Sequence, residues 1–484
     1  MSTIVSSHRV LASADSSAFS SLRQATSSRA ERDAMGKGLR KQVPRKKLGD
    51  CELSADRPDP ITLLNASHRG RVDELIPVRV GRMISSPYGF LRGTAVVMAW
   101  DVAQLPSTGI QPVICGDSHL GNFGFYGSSE GELVLDLNDF DEAHPGGWEW
   151  DMRRLVASIH VAGRENGASE EQCSDAVRSC VSAYRDEVRA LAVEPLLKRS
   201  YNRLDVGRLH ESVTEKSLRK EIKRSVKRAK KRTSDRALPK FTQEGEAGRR
   251  IVEEPPLIER VTDRKADIIG LALDRYLNTL VPHWSRALGG YTIQDIAHKV
   301  VGVGSVGLRA YVVLLEGSSP DDVVFLQMKQ ARRSVLAKFV HGTSAWHEHQ
   351  GQRVVEYQQA LQTVSDPLLG WTTVDNRQYY VRQFRNMKGT VPLDSMEADA
   401  LADYAGIVGH LLAKGHARTS GASMIAGYVG KGDNVDCAMA RFAQSYADQT
   451  ERDHALLVKA ARSGRVPVAD GALDAMGSAF RAGG

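Results

Sequence analysis

Gly116-Asp-Ser-His-Leu-Gly-Asn122 and, further along, Asp136-Leu-Asn-Asp-Phe-Asp-Glu142 are the stretches whose reading decides the fold of this chain. A short apolar run, Pro112-Val-Ile-Cys115, leads into the first. A strand, Glu132 to Leu137, entered through the turn-forming Gly127-Ser-Ser-Glu-Gly131, leads into the second. A carboxylate held in such a loop can accept or orient a proton, and a cluster of hard oxygens suits Mg²⁺ bound to phosphates. Taken alone, Asp117 and Asn122 are equally consistent with side chains that satisfy turn backbone, and the acidic cluster with an exposed turn. Within the cluster Asp139 is the first choice as a metal ligand and Asp141 the second. Asp136, inside the apolar strand, reads as an inward group satisfied by backbone.

Almost two hundred residues later comes Gly302-Val-Gly-Ser-Val-Gly307. G-x-G-x-x-G signals a dinucleotide fold only when a helix follows, and Leu308-Arg-Ala-Tyr-Val-Val-Leu-Leu315 reads as a strand. A glycine loop between two strands allows close backbone approach, and Gly302, Gly304, Ser305 and Gly307 resemble the loop that covers nucleotide phosphates in kinases; a glycine hairpin with no ligand is the alternative. The next strand, Val323-Val-Phe-Leu-Gln-Met-Lys-Gln330, carries Lys329, unremarkable by itself but similar in position to the kinase lysine that clamps nucleotide phosphates. Glu356, in a helical stretch, is its expected ion-pair partner, with Glu348 as the rival. Tyr379 to Phe384 falls where a strand leading to an interlobe hinge is expected.

These parts resemble the apparatus of protein-kinase-like enzymes. The spacing of Asp117 and Asn122 is that of the catalytic loop H-R-D-x-x-x-x-N, in which the Asp accepts the hydroxyl proton and the Asn holds a magnesium ion. Gly116-Asp-Ser-His with Asn122, then a strand and an acidic residue, is similar to the loop of aminoglycoside phosphotransferases and related small-molecule kinases. Asp151 resembles their later helix-starting Asp. The resemblance implies ATP and Mg²⁺ as cofactors, Asp117 as base or orienting group, and Asn122, Asp139 or Asp141 as metal ligands. It also implies Lys329 and Glu356 as the lysine pair, and phosphoryl transfer to a hydroxyl acceptor the sequence does not identify. The order departs from that of ordinary kinases, because the glycine loop and lysine follow the catalytic Asp, which implies circular permutation. Gly116, standing where protein kinases have Arg, favours the small-molecule type of site. More closely, Arg79 to Gly93, Gly116 to Gly124, Asn138-Asp-Phe-Asp-Glu142 and Trp150-Asp-Met-Arg-Arg-Leu155 resemble a widespread bacterial family known as a domain of unknown function, over most of residues 61 to 460.

The expected fold class is α+β: a circularly permuted, two-lobed kinase-like fold with a helix-rich large lobe and a small antiparallel β lobe. Residues 1–55 read as a disordered basic leader and 56–290 as the helical lobe with the catalytic loop and acidic motif. Residues 291–390 read as the β-rich nucleotide-binding lobe, and 391–484 as C-terminal helices packed on the helical lobe. The chain's 484 residues, 42% hydrophobic and 25% charged, exclude collagen-like, coiled-coil and wholly disordered classes. No run of apolar residues is long enough to span a membrane. The 5 cysteines form no C-x-x-C pair, which argues against a disulfide framework or a structural zinc and fits a cytoplasmic setting.

The formal charge of +7 is concentrated. Twelve Lys and Arg lie between Lys216 and Lys240 against Glu221 and Asp235, and the rest of the chain is slightly acidic. This segment reads as a solvated basic helix or as the contact for a polyanionic partner. Three other functions compete with phosphoryl transfer: nucleotidyl transfer, metal-dependent phosphoester hydrolysis, for which His119, His144 and His160 do not make a sufficient ligand set, and a nucleotide-binding scaffold or pseudokinase.

Overall fold

The computed structural model describes residues 27–245, 248–300, 306–340, 347–419 and 421–469. It is a mixed α+β structure. Three two-stranded ladders pair β1 (Val113–Ile114) with β4 (His144–Pro145), β2 (Phe123–Gly127) with β3 (Leu133–Leu137), and β5 (Thr242–Gly245) with β6 (Gly248–Ile251). A six-stranded antiparallel sheet contains β7 (Ile258–Arg260), β8 (Thr292–Lys299), β9 (Ala310–Glu316), β10 (Val323–Gln330), β11 (Gly370–Val374) and β12 (Arg377–Gln383) in the order β11-β12-β10-β9-β8-β7.

The sheet is covered on both faces, which explains why its central strands are apolar throughout instead of alternating. Tyr311, Val313, Leu315, Leu326 and Met328 turn toward Ile269, Leu273 and Tyr276 of the helix Asp263–Leu277. The intervening Val312, Leu314, Val323 and Phe325 meet Ala237, Leu238 and Phe241 of the helix Ser234–Phe241, together with Ile251 and Ile258. The β unit therefore recruits its covering elements from before Tyr291, and the expected boundary at residue 291 is corrected. A strand cannot leave an apolar face in water, so the helices that bury it belong to the same unit.

Strand periodicity puts Lys329 on the same face of β10 as Val323 and Phe325. At its position the apolar layer has ended, and the side chain reaches the helical part of the molecule instead.

That part is built on Trp148–Glu165, Glu170–Leu191, Ala398–Thr419 and Asn434–Arg462. The Glu170–Leu191 and Ala398–Thr419 helices approach so closely that a Cβ at Gly409 would stand 2.1 Å from the carbonyl oxygen of Cys180. Trp148–Glu165 is buried on almost every side. Its Glu149, Asp151, Arg153 and Arg154 are therefore under pressure to find partners. Residues 27–55, expected as part of a disordered leader, are ordered, while residues 1–26 lie outside the described residues. Arg29–Leu39 is a helix with a Ser28/Glu31 capping box, and Leu39 and Leu48 enter the main core. Polar composition suggested disorder there, but the few apolar residues are placed where the body has room for them. Among the described residues, no helix is long and apolar enough to cross a membrane.

Candidate functional site

The loop before Asp117 is fixed from below. Asp151 accepts the backbone N–H of Cys115 through Oδ2 at 2.7 Å and that of Gly116 through Oδ1 at 2.8 Å. His416 Nε2 stands 3.2 Å from the same Oδ2, and the Tyr184 hydroxyl 2.8 Å from His416 Nδ1, so a buried polar chain runs from the helix pair into the loop. Gly116 adopts φ +78°, and a Cβ there would lie 2.3 Å from the carbonyl oxygen of Glu142. This is the local reason for glycine at the position before Asp117. Asp117 itself is oriented by Arg154, whose Nε donates to Oδ1 at 2.8 Å. Burial drives the Asp117 carboxyl upward, an effect Arg154 only partly offsets.

Asn122 joins the two signature loops. Its Nδ2 donates to the carbonyl oxygens of Asp117 at 3.0 Å and Asp139 at 2.9 Å. The β2–β3 hairpin then sets the acidic loop beside it, since Asn138 N–H donates to Asn122 O at 3.0 Å. Asp136 is a structural group within that hairpin: it accepts its neighbour Leu137 N–H at 2.9 Å and Thr363 N–H at 3.2 Å.

Lys329 closes the site. Only 3% of its surface is exposed, and its Nζ lies 2.5 Å from Asp141 Oδ2 and 3.6 Å from Asp139 Oδ2. The Tyr380 hydroxyl, from the strand paired with β10, donates to Asp141 Oδ1 at 3.0 Å. Burial alone would lower the lysine's affinity for its proton, but the two carboxylates outweigh it and hold the ammonium above its ordinary value. Burial likewise opposes the Asp141 charge, and Lys329 overcomes it, so that carboxyl titrates lower than usual. Asp139 keeps 47% of its side chain exposed. It is the carboxylate most open to the cavity.

The expected lysine partner is corrected. Glu356 instead binds His347 Nε2 at 2.6 Å and Gln352 Nε2 at 2.7 Å, and Glu348 is exposed. The acidic loop fills the space beside Lys329, and the same helix, Gln350–Leu361, supports that loop through Arg353. Its buried guanidinium donates to the carbonyl oxygens of Ala143, Asp141 and Arg332. Sequence reasoning missed Arg353, Arg154 and Arg382. No local pattern separates Arg353 and Arg382 from exposed arginines, and Arg154 is marked only by its place in the Trp150-Asp-Met-Arg-Arg-Leu155 motif.

Asp117, Asn122, Asp139 and Asp141 line one cavity of about 610 Å³, within reach of Lys329. Gly302, Gly304 and Ser305 lie outside the described residues. Gly307 is described: its carbonyl accepts the N–H of Val72 at 2.8 Å. Of the three histidines considered for phosphoester hydrolysis, His119 lines the cavity. His144 turns to the carbonyl of Pro145 and His160 to Glu170, so the three do not converge. Among the described residues no three His, Cys, Asp or Glu side chains stand together as a ready-made metal cage.

All twelve Lys and Arg of the basic segment are exposed. The helix Lys216–Ala229 buries Leu218, Ile222 and Val226 and turns its charges outward. Comparison with curated proteins and with solved structures finds no match. The model of one bacterial family, described as an uncharacterized protein conserved in bacteria (DUF2252), matches residues 71–460, which include every cavity residue named above, and the chain belongs to that family.

Proposed function

We propose that the cavity is a nucleotide site and that the chain is an ATP- and Mg²⁺-dependent phosphotransferase with a permuted kinase-like fold. The observation that carries this reading is the meeting of Lys329 with Asp139 and Asp141 at the cavity that Asp117 and Asn122 also line, across almost two hundred residues of chain. Phosphoryl transfer needs these groups together and little covalent help from the protein.

The donor set fits magnesium. This ion keeps several waters and takes one or two protein carboxylates plus substrate phosphates, so the lack of a three-residue cage among the described residues is compatible with it. Asp139, with Asn122 Oδ1 and Asp141, would hold it, and when bound it would offset charge on the phosphate oxygens. Lys329, kept cationic by the two carboxylates, is positioned to exchange them for phosphate oxygens. Asp117 is aimed by Arg154, and its raised proton affinity makes it the better acceptor for a hydroxyl proton.

Incubation of the full chain with Mg²⁺ and ATP labelled at either the γ or the α position tests the reading. The expected result is γ-label released as phosphate or transferred to the protein, with no transfer of α-label. Transfer of α-label would establish nucleotidyl transfer instead. No turnover of either label, with nucleotide bound, would leave a scaffold.

A further inference from the structure

Opposite the acidic loop, the same cavity has a wall of arginines. Three of them converge on one residue. Arg71 Nε and Arg332 Nη1 each donate to the carbonyl oxygen of Ser67 at 3.1 Å, and Arg79 Nη1 stands 3.4 Å from the Ser67 hydroxyl. Arg79 is 2% exposed, its Nη2 donates to Gly93 O at 2.7 Å, and its Nε has no hydrogen-bond partner. Among the described residues, none of the three forms an ion pair with a carboxylate. Like charges gathered in a partly desolvated pocket are costly to fold; Glu142 and Asp141 offset part of that cost at Arg71, and an anionic ligand would remove more of it.

We propose that Arg71, Arg79 and Arg332 form an oxyanion subsite that takes a phosphate group. The planar guanidinium fork matches phosphate oxygens two at a time, which a single lysine does not. Burial and mutual proximity push the Arg79 guanidinium well below its ordinary range and Arg71 down to about 10, and a bound anion would oppose both shifts. Arg71 also donates to Val306 O at 2.6 Å, beside the point where Val72 holds Gly307. A phosphate in this subsite would thus engage the described end of the glycine loop and the helical part together. The inference deepens the phosphotransferase reading and rests on it for the meaning of the ligand: the phosphate belongs either to the nucleotide or to a phosphorylated acceptor.

The test is calorimetric titration of the full chain with inorganic phosphate, repeated with Mg²⁺ and a non-hydrolysable ATP analogue at saturation. The expected result is saturable phosphate binding, weakened about tenfold or more in Arg79→Gln and in Arg332→Gln, the loss for one charge-assisted hydrogen bond. It should be unchanged in Lys198→Gln, which alters an exposed lysine remote in sequence from the cluster. Arg332→Gln gives the answer if Arg79→Gln fails to fold, because Arg332 is only half-buried. Phosphate binding that the analogue abolishes assigns the subsite to the nucleotide; simultaneous binding assigns it to the acceptor; either supports the proposal. Absence of saturable binding, or equal affinity in the wild-type chain and both glutamine variants, would overturn it. If the analogue binds and phosphate does not, the subsite alone fails. If phosphate binds with the expected arginine dependence and the analogue does not, the nucleotide reading alone fails.

Discussion

Replacing Lys329 with Met removes the ammonium while keeping most of the stem, and the structure sets the size of the effect. The side chain is almost fully buried, 2.5 Å from Asp141 and 3.6 Å from Asp139. Breaking a buried ion pair by deleting one partner costs about 3–5 kcal/mol. The Tyr380 hydroxyl stays on Asp141, and Arg382 still stabilises its charge, so the expected loss lies near about 3 kcal/mol at neutral pH. The pH dependence gives the sharper test. In the native chain the Asp141 pKa is below its unfolded value, so its contribution is present above about 4 and lost as pH falls through the folded pKa. The Lys329 pKa is raised, so its contribution is present below about 10 and lost only as pH rises through the folded value. Between those limits the pair contributes evenly. Without the lysine, burial dominates Asp141 and raises its pKa, so stability falls as pH climbs from about 4 toward that raised value. Urea denaturation should show a larger penalty for Lys329→Met at pH 8 than at pH 5, with an unchanged m value. Adding Asp141→Asn should recover most of it. A penalty equal at both pH values, or none at pH 8, would refute the reasoning.

Gly116→Ala should destabilise the chain by about 1–3 kcal/mol, because alanine is strained at φ +78° and its methyl meets Glu142 O; thermal unfolding checks the cost, and turnover should fall with it as Asp117 is displaced. Asp139→Asn should shift the denaturation midpoint by no more than about 0.5 kcal/mol, since the side chain is nearly half exposed, while Mg²⁺-dependent ATP turnover is lost. Unchanged turnover in that variant would pass the metal role to Asp141. Converting Lys227, Arg228, Lys230 and Lys231 to Gln should weaken binding to a polyanion and flatten its salt dependence without changing ATP turnover. Negligible binding of the unaltered protein to heparin, nucleic acid and anionic vesicles would leave these residues as a solvated face.

Much of the candidate site was legible because its signals are local. Asp117 and Asn122 share one loop, the acidic cluster follows a short apolar run bounded by turn residues, and β-branched and aromatic residues place Lys329 on a strand. The lysine's partner was not legible. Helical spacing puts Arg353 and Glu356 one turn apart on the same helix, and only the acidic loop, folded into the gap, decides that Arg353 faces the site while Glu356 goes to His347. The arginine cluster around Ser67 was hidden for the same reason: its members come from residues 71, 79 and 332, and no local pattern joins them. Composition misled at residues 27–55, where Leu39 and Leu48 suffice to anchor a polar segment.

The central claim, that this cavity binds a nucleotide through Lys329 and a carboxylate-held magnesium, is tested most directly by titrating the full chain with a non-hydrolysable ATP analogue in Mg²⁺ and again in EDTA. The expected result is saturable binding that requires Mg²⁺, is severely weakened in Lys329→Met and loses its Mg²⁺ dependence in Asp139→Asn. Absence of binding, or binding indifferent to Mg²⁺ and to both substitutions, would contradict it.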